Sequence, residues 1–269
     1  GDVTAADVQS FAENNYFGDT AAFVTVGDSN LDATTELAQK NLGGLRTGDV
    51  PGLYTRYFSA GQYDTNTHVP NAHCFFAYKV PGVTHNDVVP LMVWRNIIGE
   101  WTSKRGLATS HSLARLMQTI EMGEKLQTYQ FHYHDTGLWG LYGKGGHSVV
   151  YQKVIYHLAD EMNRCVRTME DEELDRAKAL TKAQLYNKVQ GAEETALFLG
   201  SATLDSPTGE IKGLDYFFNE IDKLSMKDMQ DNVGRVWFDD VDPCVVNMGP
   251  VFEWTPHMRL RSYTYWWRD

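Results

Sequence analysis

Nine histidines and three cysteines are the side chains of this 269-residue sequence best equipped for chemistry. A zinc hydrolase centre written His-x-x-Glu-His sets two imidazoles on one helix face to hold the metal, a glutamate beside them to activate water, and a more distant carboxylate as a further ligand. None of His68, His73, His85, His111, His147, His157 or His257 stands in that spacing. His132 and His134 are two apart on an expected strand and so share a face, but no Cys or carboxylate at a recognisable spacing completes a ligand set. The expectation there is a polar, solvent-facing strand surface. Cys74, Cys165 and Cys244 are odd in number and far apart, which suits three small buried hydrophobes in a reducing compartment better than a disulfide framework. Gly143-Lys144-Gly145-Gly146-His147-Ser148 precedes a helix but lacks the Gly-x-x-x-x-Gly-Lys-Ser/Thr spacing of a phosphate cradle, so it reads as a glycine-rich hairpin exit. No Gly-x-Ser-x-Gly elbow is present, and Asp239, Asp240 and Asp242 read as a solvated turn rather than a cation site. The residues assign no catalytic group, no metal ligand and no cofactor-binding position.

The elements that would position any such group follow from the hydropathy pattern. Leu126 to His132 alternates apolar and polar residues, Asp135-Thr136-Gly137 supplies turn chemistry, and Leu138 to Tyr142 resumes a strand that Gly143 ends. This hairpin is expected near the centre of a sheet, with Gly137 and Gly140 admitting a closely approaching backbone. Upstream, Thr4 reads as the cap of a helix carrying Val8, Phe11 and Ala12 on one face, Ala21 to Val26 as a buried strand, and Asn30 to Leu42 as a second helix closed by Gly43-Gly44. One strand and two helices cannot enclose a core, so residues 1–50 read as the last part of an incomplete domain. Residues 51–70 hold a Gly- and Pro-punctuated linker and a first strand, Tyr54 to Gln62, and Asp64 to Asn71 is expected to turn. Within 71–269 come a strand at Ala72 to Val80, a helix capped by His85-Asn86-Asp87 and running to Gly99, and a helix over His111 to Met122.

After the hairpin the chain turns helical. Ser148 opens a helix whose stripe is Val150, Val154, Ile155, Leu158, Met162, Cys165 and Val166, and Thr168 with Asp171 resembles a capping box for the next. Further helical stretches are expected over Ala192 to Leu199, Leu214 to Leu224 and Met226 to Phe238, the last capped by Ser225 with Asp228, before a final strand at Val245 to Met248. The pattern is α+β, a mostly antiparallel sheet with helices on one face.

Composition narrows the partners. A formal charge of -11 and a pI near 5.2 disfavour nucleic acid and anionic membrane surfaces, which call for a basic footprint. No run reaches the ~18–20 apolar residues of a spanning helix, so a membrane position would depend on other subunits. With 42% apolar residues the chain can build a sizeable core. It opens on Gly1-Asp2 without a charged or Arg-rich leader, as expected of a processed chain or a piece of a longer one. Trp254, Tyr263, Tyr265, Trp266 and Trp267 crowd the last sixteen residues, as packing or as an anchor at a subunit contact.

The stretch Tyr133-His134-Asp135-Thr136-Gly137-Leu138-Trp139-Gly140-Leu141-Tyr142 resembles the second half of the pitrilysin-type M16 metallopeptidases (inverzincins). Within that family it is most similar to the branch holding the β subunit of the mitochondrial processing peptidase and core protein 1 of ubiquinol-cytochrome c reductase. The likeness continues through Asn71 to Trp101, Glu172 to Leu185 and the closing Trp266-Trp267-Arg268-Asp269. The resemblance implies two M16-like domains, the first incomplete, with the family's metal motif upstream of this chain. It implies a non-catalytic core subunit of respiratory complex III on the matrix side of the mitochondrial inner membrane. Its implied partners are a companion chain carrying the amino-terminal half, a core protein 2-like subunit, cytochrome b, cytochrome c1 and the iron-sulfur protein. An alternative is the half-chain completing a processing peptidase, with zinc on the companion; a third is a free-standing peptide-binding domain.

Overall fold

The computed structural model describes residues 3–27, 30–48, 60–105, 117, 123–146, 148–206, 211–238, 242–250 and 256–265. In chain order the elements are α1 (Ala5–Asn15), α2 (Leu31–Leu42), β1 (Gly61–Asn66), β2 (Ala72–Pro81), α3 (Val88–Ile98), β3 (Glu100–Thr102), β4 (Gly123–His132), β5 (Thr136–Gly145), α4 (Ser148–Arg167), α5 (Asp171–Asn187), α6 (Ala192–Asp205), α7 (Leu214–Lys223), α8 (Met226–Phe238), β6 (Cys244–Gly249) and α9 (His257–Tyr265). They fall into two compact units, a helical one of Gly1–Arg56 with Gln184–Leu214 and a sheet unit of Tyr57–Ala183 with Asp215–Asp269.

The sheet unit is organised on six strands in the order β1-β6-β2-β5-β4-β3. The β1–β6 pair is parallel and every other neighbouring pair antiparallel. The expected hairpin is there, with β5 flanked by β2 and β4. Gly140 is required at its position, because a Cβ would lie 2.4 Å from the carbonyl oxygen of Phe76 on β2. Gly137 is held in the same way by the carbonyl oxygen of Phe131 at 2.6 Å. β1 starts at Gly61 and runs through Asp64 to Asn66, part of the stretch expected to turn; residues 51–59 lie outside the described set. Pairing with β6 overrides the turn-prone composition, and the Asp64 carboxylate accepts from Asn247 Nδ2 at 2.7 Å.

One face of the sheet carries the core. Ala72, Cys74, Phe76, Tyr78 and Val80 of β2 alternate into it, joined by Leu126, Trp139, Leu141 and Val245. Trp94 of α3 lies flat on Trp139, ring centroids 3.8 Å apart and planes 5° from parallel, both fully buried. Leu158, Met162 and Cys165 of α4 and Met229, Val233 and Trp237 of α8 complete the interior. Buried polar groups are spent on fixing helices. Asn96 donates to Thr181 at 2.8 Å, Trp237 Nε1 to Asn163 at 2.9 Å, and Thr128 to the carbonyls of Arg95 and Gly99 at the end of α3.

The caps divide into expected and unexpected. Thr4 and Asp7 form a reciprocal box on α1, and Ser225 and Asp228 one on α8. Thr168 does not open α5: its amide bonds back to Arg164 at 2.8 Å and closes α4 instead. Asp87 does not cap α3 with its side chain, which pairs instead with Asn232 and Arg235 of α8, both at 3.1 Å. The helix expected over His111 to Met122 lies outside the described residues apart from Met117, and the side chains of Ser148, Val150, Val154 and Ile155 lie outside them too.

The helical unit differs in kind. No residue of α1, α2 or α6 is buried. The strand expected at Ala21 to Val26 is absent: Ala21 is extended, yet Ala22 to Val26 make no backbone hydrogen bond to any described residue. An extended run becomes a strand only when a neighbour closes its ladder, and none among the described residues does.

Candidate functional site

On the second face of the sheet, alternation places a row of rings. Opposite the buried residues of β2 stand His73, Phe75 and Lys79. The register sets Phe75 across from Tyr142 on β5 and Val246 on β6, and Tyr63 of β1 across from Val246. On β4 the polar and apolar positions change phase at Gln127-Thr128, so Thr128 turns into the core while Tyr129 and Phe131 turn out. The strand was expected to show one apolar and one polar side; its phase change gives both sides apolar members.

These rings touch. Tyr129 lies 6.2 Å from Phe75, 6.2 Å from Tyr142 and 6.0 Å from Phe131, the last pair nearly parallel. The Tyr142 hydroxyl is 2.6 Å from His73 Nδ1, and Lys125 stands 5.8 Å above its ring. Burial pushes the Tyr142 phenol up, so it stays protonated near neutrality. Lys144, from the glycine-rich hairpin exit, pairs with Glu124 at 2.7 Å, and that bond holds its ammonium above its ordinary range. Tyr63, Val246, Met248 and Phe131 remain exposed beside them. Such a surface offers stacking, apolar contact and a few cations, the chemistry of polypeptide docking, with the Tyr142–His73 hydrogen bond as its one described hydroxyl–imidazole pair.

Of the residues weighed for chemistry, His73 and Lys144 stand on this surface and the others that are described sit elsewhere. His132 ends β4 with Nδ1 2.9 Å from the carbonyl of Pro81 and its other nitrogen against Gln130, half-buried and not solvent-facing as expected. Burial lowers its basicity. His134 lies in the turn that Tyr133 closes onto Thr136, so the two histidines do not share a strand face. His257 bonds the carbonyl of Pro243 at 2.8 Å. Cys74 and Cys165 are buried free thiols whose pKa burial drives up, the opposite of an activated nucleophile. Asp242 pairs with Arg261 at 2.7 Å, while Asp239 and Asp240 lie outside the described residues. Among the described residues no three His, Cys, Asp or Glu side chains gather as metal ligands. Of the closing aromatic residues, none has a described side chain.

Sequence reasoning missed Tyr63, Tyr129, Phe131, Val246 and Met248 as one surface. The phase change on β4 was the available signal, but the row is assembled by strand order, which periodicity alone does not give.

A family model described as the Peptidase M16 inactive domain matches residues 2–181. The chain belongs to this family. Among curated relatives, the M16 chain is 26% identical to ubiquinol-cytochrome-c reductase complex core protein I of Euglena gracilis, over 84% of this chain and 50% of that protein. It is 26% identical to cytochrome b-c1 complex subunit 1 of Bos taurus, over 99% and 56%. It is 27% identical to the mitochondrial-processing peptidase subunit beta of Blastocladiella emersonii, over 97% and 56%. A chain of complex III2 from Candida albicans with Inz-5 bound superposes with a TM-score of 0.81 at 21% identity, over 88% of this chain and 57% of that one. The chain thus spans about half the length of the relatives it matches. The six-stranded, mostly antiparallel sheet with helices is the M16-like fold expected from the sequence. No helix among the described residues is long and apolar enough to cross a membrane.

Proposed function

We propose that the chain is a non-catalytic structural core subunit of mitochondrial respiratory complex III, the carboxy-terminal half of a split core protein 1. The observation that carries this reading is the match along 84% of the chain to a core protein I. The absence of His-x-x-Glu-His from the sequence agrees with it, as does a sheet face built of stacked rings. In this reading residues 1–50 end an incomplete amino-terminal domain, 51–70 link it, and 71–269 form the carboxy-terminal domain. A companion chain supplies the missing half, and a core protein 2-like subunit, cytochrome b, cytochrome c1 and the iron-sulfur protein are its neighbours on the matrix side of the inner membrane.

The processing-peptidase β relatives favour a second reading, in which the half-chain completes a presequence-cleaving enzyme whose zinc site lies on the companion. One purification separates the two. Tagged full-length chain isolated from its own mitochondria is expected to bring down haem and ubiquinol-cytochrome c reductase activity. A haem-free particle with chelator-sensitive presequence cleavage overturns the first reading in favour of the second.

A further inference from the structure

Between β2 and α3 runs a short connection, Gly82 to Asp87, that is fastened to its neighbours at several points. Gly82 has no room for a side chain, because a Cβ would lie 2.5 Å from the carbonyl oxygen of His134 in the β4–β5 turn. The Val83 amide donates to the Tyr133 carbonyl at 2.8 Å, and the Asp87 carboxylate accepts from Asn232 and Arg235 of α8. Two imidazoles touch this connection, and their surroundings answer a proton in opposite ways.

His132 is the first. Its Nδ1 faces the Pro81 carbonyl at 2.9 Å, an atom that only accepts, so Nδ1 carries the hydrogen. Its Nε2 faces the side-chain amide nitrogen of Gln130, which only donates, so Nε2 accepts and the ring is neutral. The same Gln130 nitrogen reaches the carbonyl of Val88, the first residue of α3, at 3.4 Å. The two side chains of β4 therefore hold both flanks of the connection, Pro81 and Val88. A proton on Nε2 sets two donors against each other. Gln130 relieves that by turning its oxygen to the ring, which opposes that oxygen to the Val88 carbonyl and ends the tie to α3. His85 does the reverse. Its Nδ1 lies 3.2 Å from the Asp87 amide and 3.3 Å from the Asp87 carboxylate, so a neutral ring accepts from the amide and a protonated one donates to the carboxylate.

We propose that residues 82–87 form a proton-operated clasp: with His132 neutral, β4 holds both flanks, and with His132 protonated the Val88 flank is released from β4 while Asp87 keeps its hold on α8. The other ionisable groups on the elements around the ring are His85 and Asp87 in the connection, His134 and Asp135 in the turn, and Arg235 of α8. Burial lowers the basicity of His132, and the Pro81 carbonyl restores part of it. The folded ring thus takes up its proton less readily than the unfolded chain does. Its contribution is present above the ordinary value of 6.5 and is lost as pH falls toward the lower folded one.

The test uses the full chain in its purified particle. Amide exchange over residues 83–91, divided by the intrinsic rate at each pH, is expected to quicken about 10-fold from pH 7.5 to pH 5, while residues 138–144 of β5 stay unchanged. Exchange at the His132 ring carbon, read by mass spectrometry on the same sample, is expected to titrate with the same midpoint. In His132→Asn the amide nitrogen takes the place of Nδ1 and does not titrate, so the quickening is expected to fall below about 2-fold. Gln130→Glu offers Nε2 an acceptor and is expected to raise the proton affinity of His132 about 10-fold. Exchange that ignores pH, follows another midpoint or quickens equally in β5 overturns the clasp, and so does a full response in His132→Asn. Should that variant not fold, an unchanged His132 midpoint in Gln130→Glu overturns it instead.

Discussion

At the scale of single residues, the sheet unit depends on a few positions where size or charge has no substitute. Trp139 lies between β5 and the Trp94 ring with no solvent exposure, so Trp139→Ala is expected to cost about 3–5 kcal/mol of stability in urea denaturation. Gly140→Ala adds one carbon against the Phe76 carbonyl and is expected to cost about 1–3 kcal/mol by the same measurement. Arg164 donates to Glu161 at 2.6 Å and to Glu173 at 2.6 Å, tying the end of α4 to the start of α5 around two nearly buried carboxylates. Burial alone would raise the Glu173 carboxyl, but the hydrogen bonds and charge of Arg164 outweigh it and hold it below its ordinary value of 4.5. A depressed carboxylate binds fewer protons folded than unfolded, so its stabilisation is present above that ordinary value and fades as pH falls through the folded one. Glu173→Gln is therefore expected to narrow the difference between urea midpoints at pH 7 and pH 4. Were the variant as pH-sensitive as the parent protein, the pair would not be a source of acid lability.

At the scale of elements, what the sequence disclosed depended on how far each signal reaches. The α8 cap is local, Ser225 and Asp228 being three residues apart, and Ser225→Ala is expected to cost about 1 kcal/mol, seen as a lower thermal midpoint. The β4–β5 hairpin was equally legible because its turn residues lie beside the strands they join. Signals with two owners misled. Thr168 had the spacing of a cap for α5 but the carbonyl of Arg164 stood nearer, so it finishes α4. Thr128 is polar, yet it shares the inward face with Leu126, and the end of α3 supplies two carbonyls that satisfy its hydroxyl. Helix α9 was not anticipated in the aromatic-rich end, because Gln62 of β1, 195 residues away, accepts from the amide of His257 at its start. A cap delivered from that distance leaves no local trace.

At the scale of the whole molecule, the two units divide the physics between them. The sheet unit builds a core of its own and offers a ringed face, while the helical unit exposes apolar side chains on its helices and a run, residues 22–26, that makes no backbone hydrogen bond to the described residues. The expected α+β class was legible because strand and helix periods alternate cleanly along 71–269; strand order was not, because β1 and β6 meet only in space. In the complex III reading, the ringed face should register as a contact in the assembled particle. Tyr63→Glu and Phe131→Glu together are expected to weaken recovery of partner subunits about 10-fold or more while leaving the urea midpoint of the sheet unit within about 0.5 kcal/mol of the parent, since both side chains are exposed. Equal recovery from the doubly substituted chain would show that this face is solvated in the assembly.

The parallel β1–β6 pair also sets the timetable of synthesis. Because β6 sits between β1 and β2, β1 has no place in the sheet until the ribosome has made residues 244–249 and released them from its tunnel. A nascent chain stopped before Cys244 lacks an interior strand rather than a dispensable fringe, and β1 would wait for β6 while the residues between them are made.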